Sequence, residues 1–300
     1  MNKFKVSIIT PSYNQGRFIE ETIKSVISQS YGNIEYIIID GGSSDNTLEV
    51  IERYSNFITR VVTEPDFGQA DAINKGIKAA TGDLITWINS DDLLEPKAIE
   101  YAVAAFIEFP EIDFVYGNVN LIDESTLKLG VLKGKQVRLP SVFYNIDLPI
   151  PQQGSMWRSN VTDTVGLLNE KWHYVLDREF FLRICLTNKI MYIDRIFGSF
   201  RQHQQSKSLK RVEPWIKEMP LMYYALTRLP SWPYHGDDQI TKKAIASSHI
   251  HAAYLAFLAR KIGDGLINIY LACANYPAIL LSSHIYSKPL NKFKALFRRR

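Results

Sequence analysis

The sequence predicts an α/β chain: a mostly parallel sheet with helices on both faces, followed by a C-terminal helical extension. Three observations predict it. Short runs of β-branched and aliphatic residues alternate with stretches of helical period through the first third of the chain. Those runs are apolar nearly throughout, as buried parallel strands are, instead of alternating with polar residues. From about residue 206 the period is helical to the end.

Residues 5–10 read as a buried strand, and 18–27 as a helix with Phe18, Ile19, Ile23, Val26 and Ile27 at helical spacing. Residues 34–39 form a second strand, ended by Asp40-Gly41-Gly42. Ser44 or Asp45 caps the helix that follows, with Leu48, Ile51 and Tyr54 inward. Residues 58–63 are a third strand, 70–80 a helix and 83–88 a fourth strand. Pro96 opens a helix through Phe109, because proline fits the first helical turn. Residues 113–118 are strand-like, 119–132 read as a hairpin around Asp123-Glu124-Ser125, and 139–160 are rich in proline and aromatics without helical period. Residues 176–186 are helical and 190–200 return to strand. This organisation predicts one domain over 1–205, in halves 1–112 and 113–205, and an extension over 206–300.

Composition narrows the function classes. Of 300 residues, 46% are apolar and 22% charged, which excludes a largely disordered chain. The net charge is +4, but 288–300 hold six basic residues and no acidic one, leaving the rest at −2. Such a body lacks the basic face that nucleic acid requires. Cys185 and Cys273 are too few for a disulfide framework and sit in apolar stretches. The opening apolar run is too short for a signal-peptide core, so the expectation is an unsecreted, cytoplasmic protein. Residues 265–286 lack Lys, Arg, Asp and Glu and are long enough to span a bilayer, yet Asn275-Tyr276-Pro277 reads as a break between two short packed helices. In 288–300 the basic residues surround Leu290, Phe293, Leu296 and Phe297. That segment reads as a basic amphipathic helix for an anionic membrane surface, or as a solvated tail.

In an open parallel sheet, ligands bind beyond the carboxyl ends of the strands. Here those ends are Pro11-Ser12-Tyr13-Asn14, Asp40-Gly41-Gly42-Ser43 and Asn89-Ser90-Asp91-Asp92. Tyr13 offers a flat face for a base, and Asp40 accepts hydrogen bonds from a base or ribose. Asp91 and Asp92 are hard oxygen ligands suited to Mg²⁺ or Mn²⁺ beside phosphates. Taken singly, each has a plainer reading: a strand-to-helix turn, a helix cap, an aromatic at the edge of the core. Neither GxGxxG nor GxxxxGK[ST] is present, which removes the main support for dinucleotide and P-loop sites.

These blocks, with Thr81-Gly82-Asp83 and the run Glu64-Pro65-Asp66-Phe67-Gly68-Gln69-Ala70-Asp71-Ala72-Ile73-Asn74-Lys75-Gly76, resemble a family-2 glycosyltransferase of the GT-A fold, a Rossmann-like nucleotide-diphospho-sugar transferase. The branch resembled carries Asn-Ser-Asp-Asp where others carry Asp-x-Asp-Asp. The resemblance implies inverting transfer of a sugar from a nucleotide-sugar, with a UDP-sugar favoured, to a glycan or lipid-linked acceptor. It implies Mn²⁺ or Mg²⁺ as cofactor, cell-surface polysaccharide or glycolipid assembly, and work at the inner face of the cell membrane. Donor binding would fall to Pro11, Tyr13, Asn14, Asp40, Gly42, Asp71, Asn74, Lys75, Asn89 and Ser90. Metal binding would fall to Asp91, Asp92 and His203, with either aspartate as the direct ligand. An amide at Asn89 can bond a ribose hydroxyl but supplies no charge.

Inversion needs a base that takes the acceptor's proton, and Asp177 aligns with it at a helix start, where it could also serve as a cap. Glu179 is the rival carboxylate, and in a helix residues two apart point to different sides. Gln153, Trp157 and Glu179 would line the acceptor groove, although Trp157 could equally be core. Arg201, two residues before His203, would meet phosphate, and His203 could also be a loop residue. Two other functions fit parts of the pattern: a sugar-phosphate nucleotidylyltransferase, which would want a basic Gly-rich loop after the first strand, and a silent nucleotide-sugar binding protein.

Overall fold

The computed structural model describes residues 4–145, 148–207 and 211–281. The described residues form one sheet of β1 (Val6–Ser12), β2 (Ile34–Asp40), β3 (Arg60–Thr63), β4 (Leu84–Trp87), β5 (Leu93–Leu94), β6 (Phe114–Ile122), β7 (Lys128–Leu132), β8 (Ser155–Arg158) and β9 (Ile190–Arg201). The spatial order is β3-β2-β1-β4-β8-β6-β9-β5, with β7 beside β6. β1 to β4 are mutually parallel, as expected. Successive residues of β2 point to opposite faces, and each face has its own cover. Tyr36 and Ile38 join the cluster formed with α1 (Ile19–Ile27), α2 (Thr47–Arg53) and α4 (Ala98–Glu108), whereas Ile37 and Ile39 pack on Ala72 of α3 (Gln69–Ala79).

The second half of the sheet differs from the sequence expectation in two ways. Residues 113–118 and the first arm of the hairpin are one strand, β6, whose turn at Asp123–Thr126 leads into β7. Within the Pro- and aromatic-rich stretch lies β8, antiparallel to both β4 and β6. Four residues, Ser155-Met156-Trp157-Arg158, are too few to show a period, and three of them are buried. After α5 (Val161–Val165), α6 (Leu176–Thr187) lays Phe180 and Phe181 on Trp87 of β4, with ring centroids 6.1 and 5.5 Å away.

Contacts divide the chain into two compact units, Met1–Val137 with Pro149–Gln202, and Arg138–Leu148 with His203–Arg300. Residues 138–148 thus join the second unit, although the sequence placed them in the first domain. The second unit holds α7 (Glu213–Leu226), α8 (Asp238–Leu258) and α9 (Ile262–Asn275). Asp237 caps α8 by accepting the N–H groups of Gln239 and Ile240. The chain turns extended at Tyr276, so the expected break falls there and a short 3-10 turn, Pro277–Leu281, follows. Among the described residues no helix is long and apolar enough to cross a membrane. The basic segment 288–300 lies outside the described residues.

One buried carboxylate ties β2 to the loop before β4. Glu35 accepts from Lys5 Nζ (2.7 Å), Ser7 Oγ (2.5 Å), and the Thr81 N–H (2.7 Å) and hydroxyl (2.6 Å). Burial would raise this carboxyl, but the donors from Lys5, Ser7 and Thr81 outweigh it and hold the group from 4.5 down at about 2. A folded pKa below the unfolded one stabilises above the unfolded value and is lost as pH falls through the folded one. Glu35→Gln should therefore destabilise by about 2–3 kcal/mol near neutral pH. Urea titrations should show that penalty shrinking as the pH is lowered from 4.5 towards 2; an equal penalty at both ends would mean Glu35 contributes packing alone.

Candidate active site

The ends of β1 and β2 are stitched to each other. Asp40, fully buried, folds its carboxylate back on its own turn: Oδ1 accepts the N–H groups of Gly42 (3.0 Å) and Ser43 (2.8 Å), and Oδ2 accepts the Ser43 hydroxyl (2.6 Å). Gly42 makes the turn possible with φ +85°, a value that side chains disfavour. Asn14 adopts φ 52°, which asparagine tolerates better than most residues. Its N–H donates to Ser43 Oγ (2.8 Å) and its side-chain oxygen accepts the Ser44 N–H (2.8 Å). Gly41 N–H closes on the Ser12 carbonyl at 2.8 Å. The outcome is a rigid floor from which the Tyr13 ring projects, 60% exposed.

At the end of β4, burial separates the two aspartates. Asp91 is half-exposed, while Asp92 is fully buried. Three donors converge on the Asp92 carboxylate: Asn89 Nδ2 (3.0 Å), Gln153 Nε2 (2.8 Å) and the backbone N–H of Arg201 (2.9 Å). Burial, and next the charge of Asp91, push this carboxyl well above the ordinary carboxylate range, and the donors oppose that rise. Local pairing explains the approach of Arg201. The two residues of β5 pair antiparallel with Ser199 and Gly198 of β9, which sets Arg201 beside the aspartates. At Gly198 an added methyl would fall 2.6 Å from the Gln153 carbonyl, so only glycine lets Gln153 come this close.

Arg201 is itself fully buried. Its guanidinium donates to the carbonyls of Asp91 (2.9 Å) and Glu124 (3.0 Å) and to Glu21 Oε2 (2.7 Å), and lies over the Phe18 ring at 5.2 Å. The expectation that it meets phosphate is therefore corrected: it ties the aspartates to α1 and to the β6–β7 turn. Asn89 is equally engaged, accepting from Gln69 (2.8 Å) and donating to Asp92 and to Gln152 (3.1 Å). Nothing in the spacing of Gln69 and Gln152 marks them in the sequence as partners of Asn89.

Asp177 is half-exposed in the first turn of α6 and accepts the Arg178 N–H at 2.7 Å. The aromatic stack on Trp87 brings α6 towards β4, and Trp87 lies two residues before Asn89. From the other side, Gln69 bonds Asn89 while the neighbouring Gly68 faces the His173 ring, four residues before Asp177. Asp71 and Lys75, both half-buried, form an ion pair of 3.3 Å, and Lys75 also meets Glu64 at 2.9 Å. The Glu64 partner, ahead of a smaller opposing effect of burial and with help from Asp71, raises the Lys75 ammonium above its usual range.

Several expected ligand residues are interior supports. Trp157 is fully buried, edge-on to Trp87 (5.5 Å) and Phe180 (5.4 Å), so the core reading replaces the acceptor groove. Glu179 is buried in a two-pronged pair with Arg183, at 2.8 and 2.9 Å, and does not face an acceptor. Asn74 is buried, with its oxygen on the Leu168 N–H (2.9 Å) and its nitrogen on the Leu168 carbonyl (2.9 Å); it anchors that loop instead of meeting a donor. Gln153, Pro11 and Ser90 are also buried. His203 lies in the second unit, buried in a turn with Ser206. Among the described residues no three His, Cys, Asp or Glu side chains gather as a metal-holding group. Of the expected Asp91, Asp92 and His203, Asp92 is already bonded on both carboxylate oxygens.

Residues 7–160 match the family model of Glycosyl transferase family 2. The chain is similar to an uncharacterized glycosyltransferase of Rickettsia conorii, 31% identical over 214 residues covering 68% of this chain and 35% of that protein. It is also similar to the Escherichia coli UDP-Glc:alpha-D-GlcNAc-diphosphoundecaprenol beta-1,3-glucosyltransferase WfgD, 34% identical over 146 residues, 48% of this chain and 55% of that one. The chain spans from about a third to just under two thirds of the length of the first such relatives. In fold it is similar to S. aureus TarS 1–349 in complex with UDP-GlcNAc, TM-score 0.62 at 15% identity, covering 91% of each chain. It likewise resembles the mannosyltransferase PcManGT of Pyrobaculum calidifontis in complex with GDP-Man and Mn²⁺, TM-score 0.58 at 14% identity, covering 99% of this chain and 88% of that one. The expected GT-A architecture with C-terminal helices agrees with these likenesses.

Removing the guanidinium of Arg201 takes a donor from the Asp91 and Glu124 carbonyls and a charge partner from Glu21, a change that costs about 3 kcal/mol. Arg201→Met should lower unfolding stability by that amount in urea, and a loss under about 1 kcal/mol would show that the clamp is dispensable.

Proposed function

The chain belongs to glycosyl transferase family 2 and is a glycosyltransferase, and we propose that it transfers a sugar from a nucleotide-diphospho-sugar to an acceptor hydroxyl with inversion. The observation that carries this reading is the division of labour at the end of β4. A half-exposed Asp91 sits beside an Asp92 buried under three donors, and α6, whose first turn carries Asp177, packs on the same strand.

The donor lies beyond β1, β2 and β4 in this reading. Its base stacks on exposed Tyr13, and the Asp40 turn and Asn14 shape the floor beneath it. Asn89 stays fixed by Gln69, Gln152 and Asp92 and orients the sugar-nucleotide. A UDP-sugar is favoured, because UDP is the donor nucleotide in WfgD's name and UDP-GlcNAc is the ligand of TarS. Asp91 is the carboxylate that would hold a hard divalent cation here, beside the diphosphate of the donor. Mn²⁺ or Mg²⁺ bound there would neutralise charge on the departing diphosphate. Asp177 takes the proton of the acceptor hydroxyl while that oxygen bonds to the anomeric carbon from the face opposite the diphosphate. The bond from the anomeric carbon to the diphosphate oxygen breaks in the same step, and the nucleoside diphosphate leaves with its electron pair.

The acceptor is a glycan or a lipid-linked sugar in this reading, in line with the diphosphoundecaprenol acceptor in WfgD's name. An enzyme of cell-surface polysaccharide or glycolipid assembly would then work at the inner face of the membrane. A catalytically silent nucleotide-sugar binder is the second reading, and it requires Asp177 to be a helix cap alone.

Asp177→Asn should keep donor affinity within about threefold and lower transfer by 10² or more, the usual contribution of a positioned base. Nucleotide release and product formation measured together check this; transfer within tenfold of wild type would return Asp177 to capping. Glu179→Gln should instead lower stability, since it breaks a buried pair. Chelation should abolish transfer and added Mn²⁺ or Mg²⁺ restore it, whereas full turnover in excess EDTA would remove the cation from the mechanism.

A further inference from the structure

Helix α9 carries an apolar face that no described residue covers. Ile262, Leu266, Ile267 and Tyr270 are 64, 58, 57 and 72% exposed. At 100° per residue they span an arc of roughly 140°, filled otherwise by small residues. The helix's one charged residue, Asp264, falls outside that arc, and the opposite side packs through buried Gly265, Asn268 and Ala272. Gly265 lets the Phe257 ring of α8 lie close, since a methyl there would fall 2.5 Å from it. Leu281, 87% exposed, ends the described chain next to this helix in sequence. Single exposed apolar residues are ordinary, but a contiguous charge-free face is not.

We infer that this face of α9 seats on a lipid bilayer carrying anionic headgroups. Charge complementarity names the occupant. Residues 288–300 follow within the same chain and bring six basic residues and no acidic one. An aliphatic arc with an edge tyrosine, followed by a polybasic segment, matches hydrocarbon beneath anionic headgroups. Folding 288–300 over the arc would leave those cations unanswered, because the arc presents no carboxylate. A second copy is a poor match by size: an arc about 21 Å long and about 10 Å wide offers on the order of 200 Å² per partner, against about 800 Å² for a stable interface. Seating through α9 is independent of the chemistry assigned to Asp177.

Flotation of the full chain with phosphatidylcholine vesicles, with and without phosphatidylglycerol, tests it. Wild type should float with the anionic vesicles, and a residue of binding should persist at about 0.5 M salt, where screening acts within about 4 Å. Leu266→Gln with Tyr270→Gln should lower partitioning at least tenfold at that salt, with circular dichroism and soluble turnover on a short acceptor unchanged. Leu221→Gln, at an exposed leucine of α7, should bind as wild type. Three results would overturn the inference: no flotation of the intact chain, flotation of the double variant within twofold of wild type, or a wild-type dimer that the double variant abolishes. Loss of all flotation on deleting 288–300, with no effect of the double variant, would likewise place binding in the basic segment alone.

Discussion

The end of β4 depends on a carboxylate that never reaches solvent. Asp92 gathers an amide from the same turn, an amide from the segment before β8, and a backbone N–H from the end of β9. Two of the three come from segments 61 and 109 residues away in the chain, so one buried group ties three separate parts of the chain together. An acceptor surrounded only by donors has one arrangement that satisfies it, which is why a costly buried polar group can specify a geometry. Arg201 extends the same network to α1 and the β6–β7 turn. Its neighbour Asp91 is left half-exposed on a backbone that cannot drift, since the Asp91 carbonyl is held by Arg201 and the Asp92 carbonyl by Thr22.

Much of this was legible in the sequence, for physical reasons. Buried parallel strands are apolar runs, so β1, β2 and β4 stand out, and the turns that end them gather Asp, Asn, Gly and Ser because those residues bond their own backbone. Asp40 does so here, while Asn14 bonds the backbone of the neighbouring turn. What failed was the inference from residue type to exposure. Trp157, Glu179, Asn74 and Arg201 are all side chains that ligands use, and all four are buried supports in this fold. Periodicity cannot separate a carboxylate that faces an acceptor from one paired with Arg183, since the pairing depends on the fold of residues 165–167 around α6. β8 escaped for a simpler reason: its four residues sit between β4 and β6 only because the chain doubles back, and nothing local marks that return.

The second unit answers to different constraints. Its helices α7, α8 and α9 pack through small residues such as Ala246, Ala252, Ala256 and Ala272, and none of the described residues covers the apolar arc of α9. A helix that keeps a charge-free face in water loses free energy unless another surface receives it. A transferase that draws its donor from solution and its acceptor from lipid would gain from such seating, because it turns the search for the acceptor into motion within a surface.

In the proposed site Asp92 organises the backbone and Asp91 engages the ligand. A crystal structure with UDP and Mn²⁺ bound, with the metal placed by its anomalous scattering, tests it most directly. The expected result is an Asp91 carboxylate oxygen in the coordination shell, with Asp92 still receiving Asn89, Gln153 and the Arg201 N–H. An Asp92 oxygen on the metal, with those three hydrogen bonds broken, would contradict it.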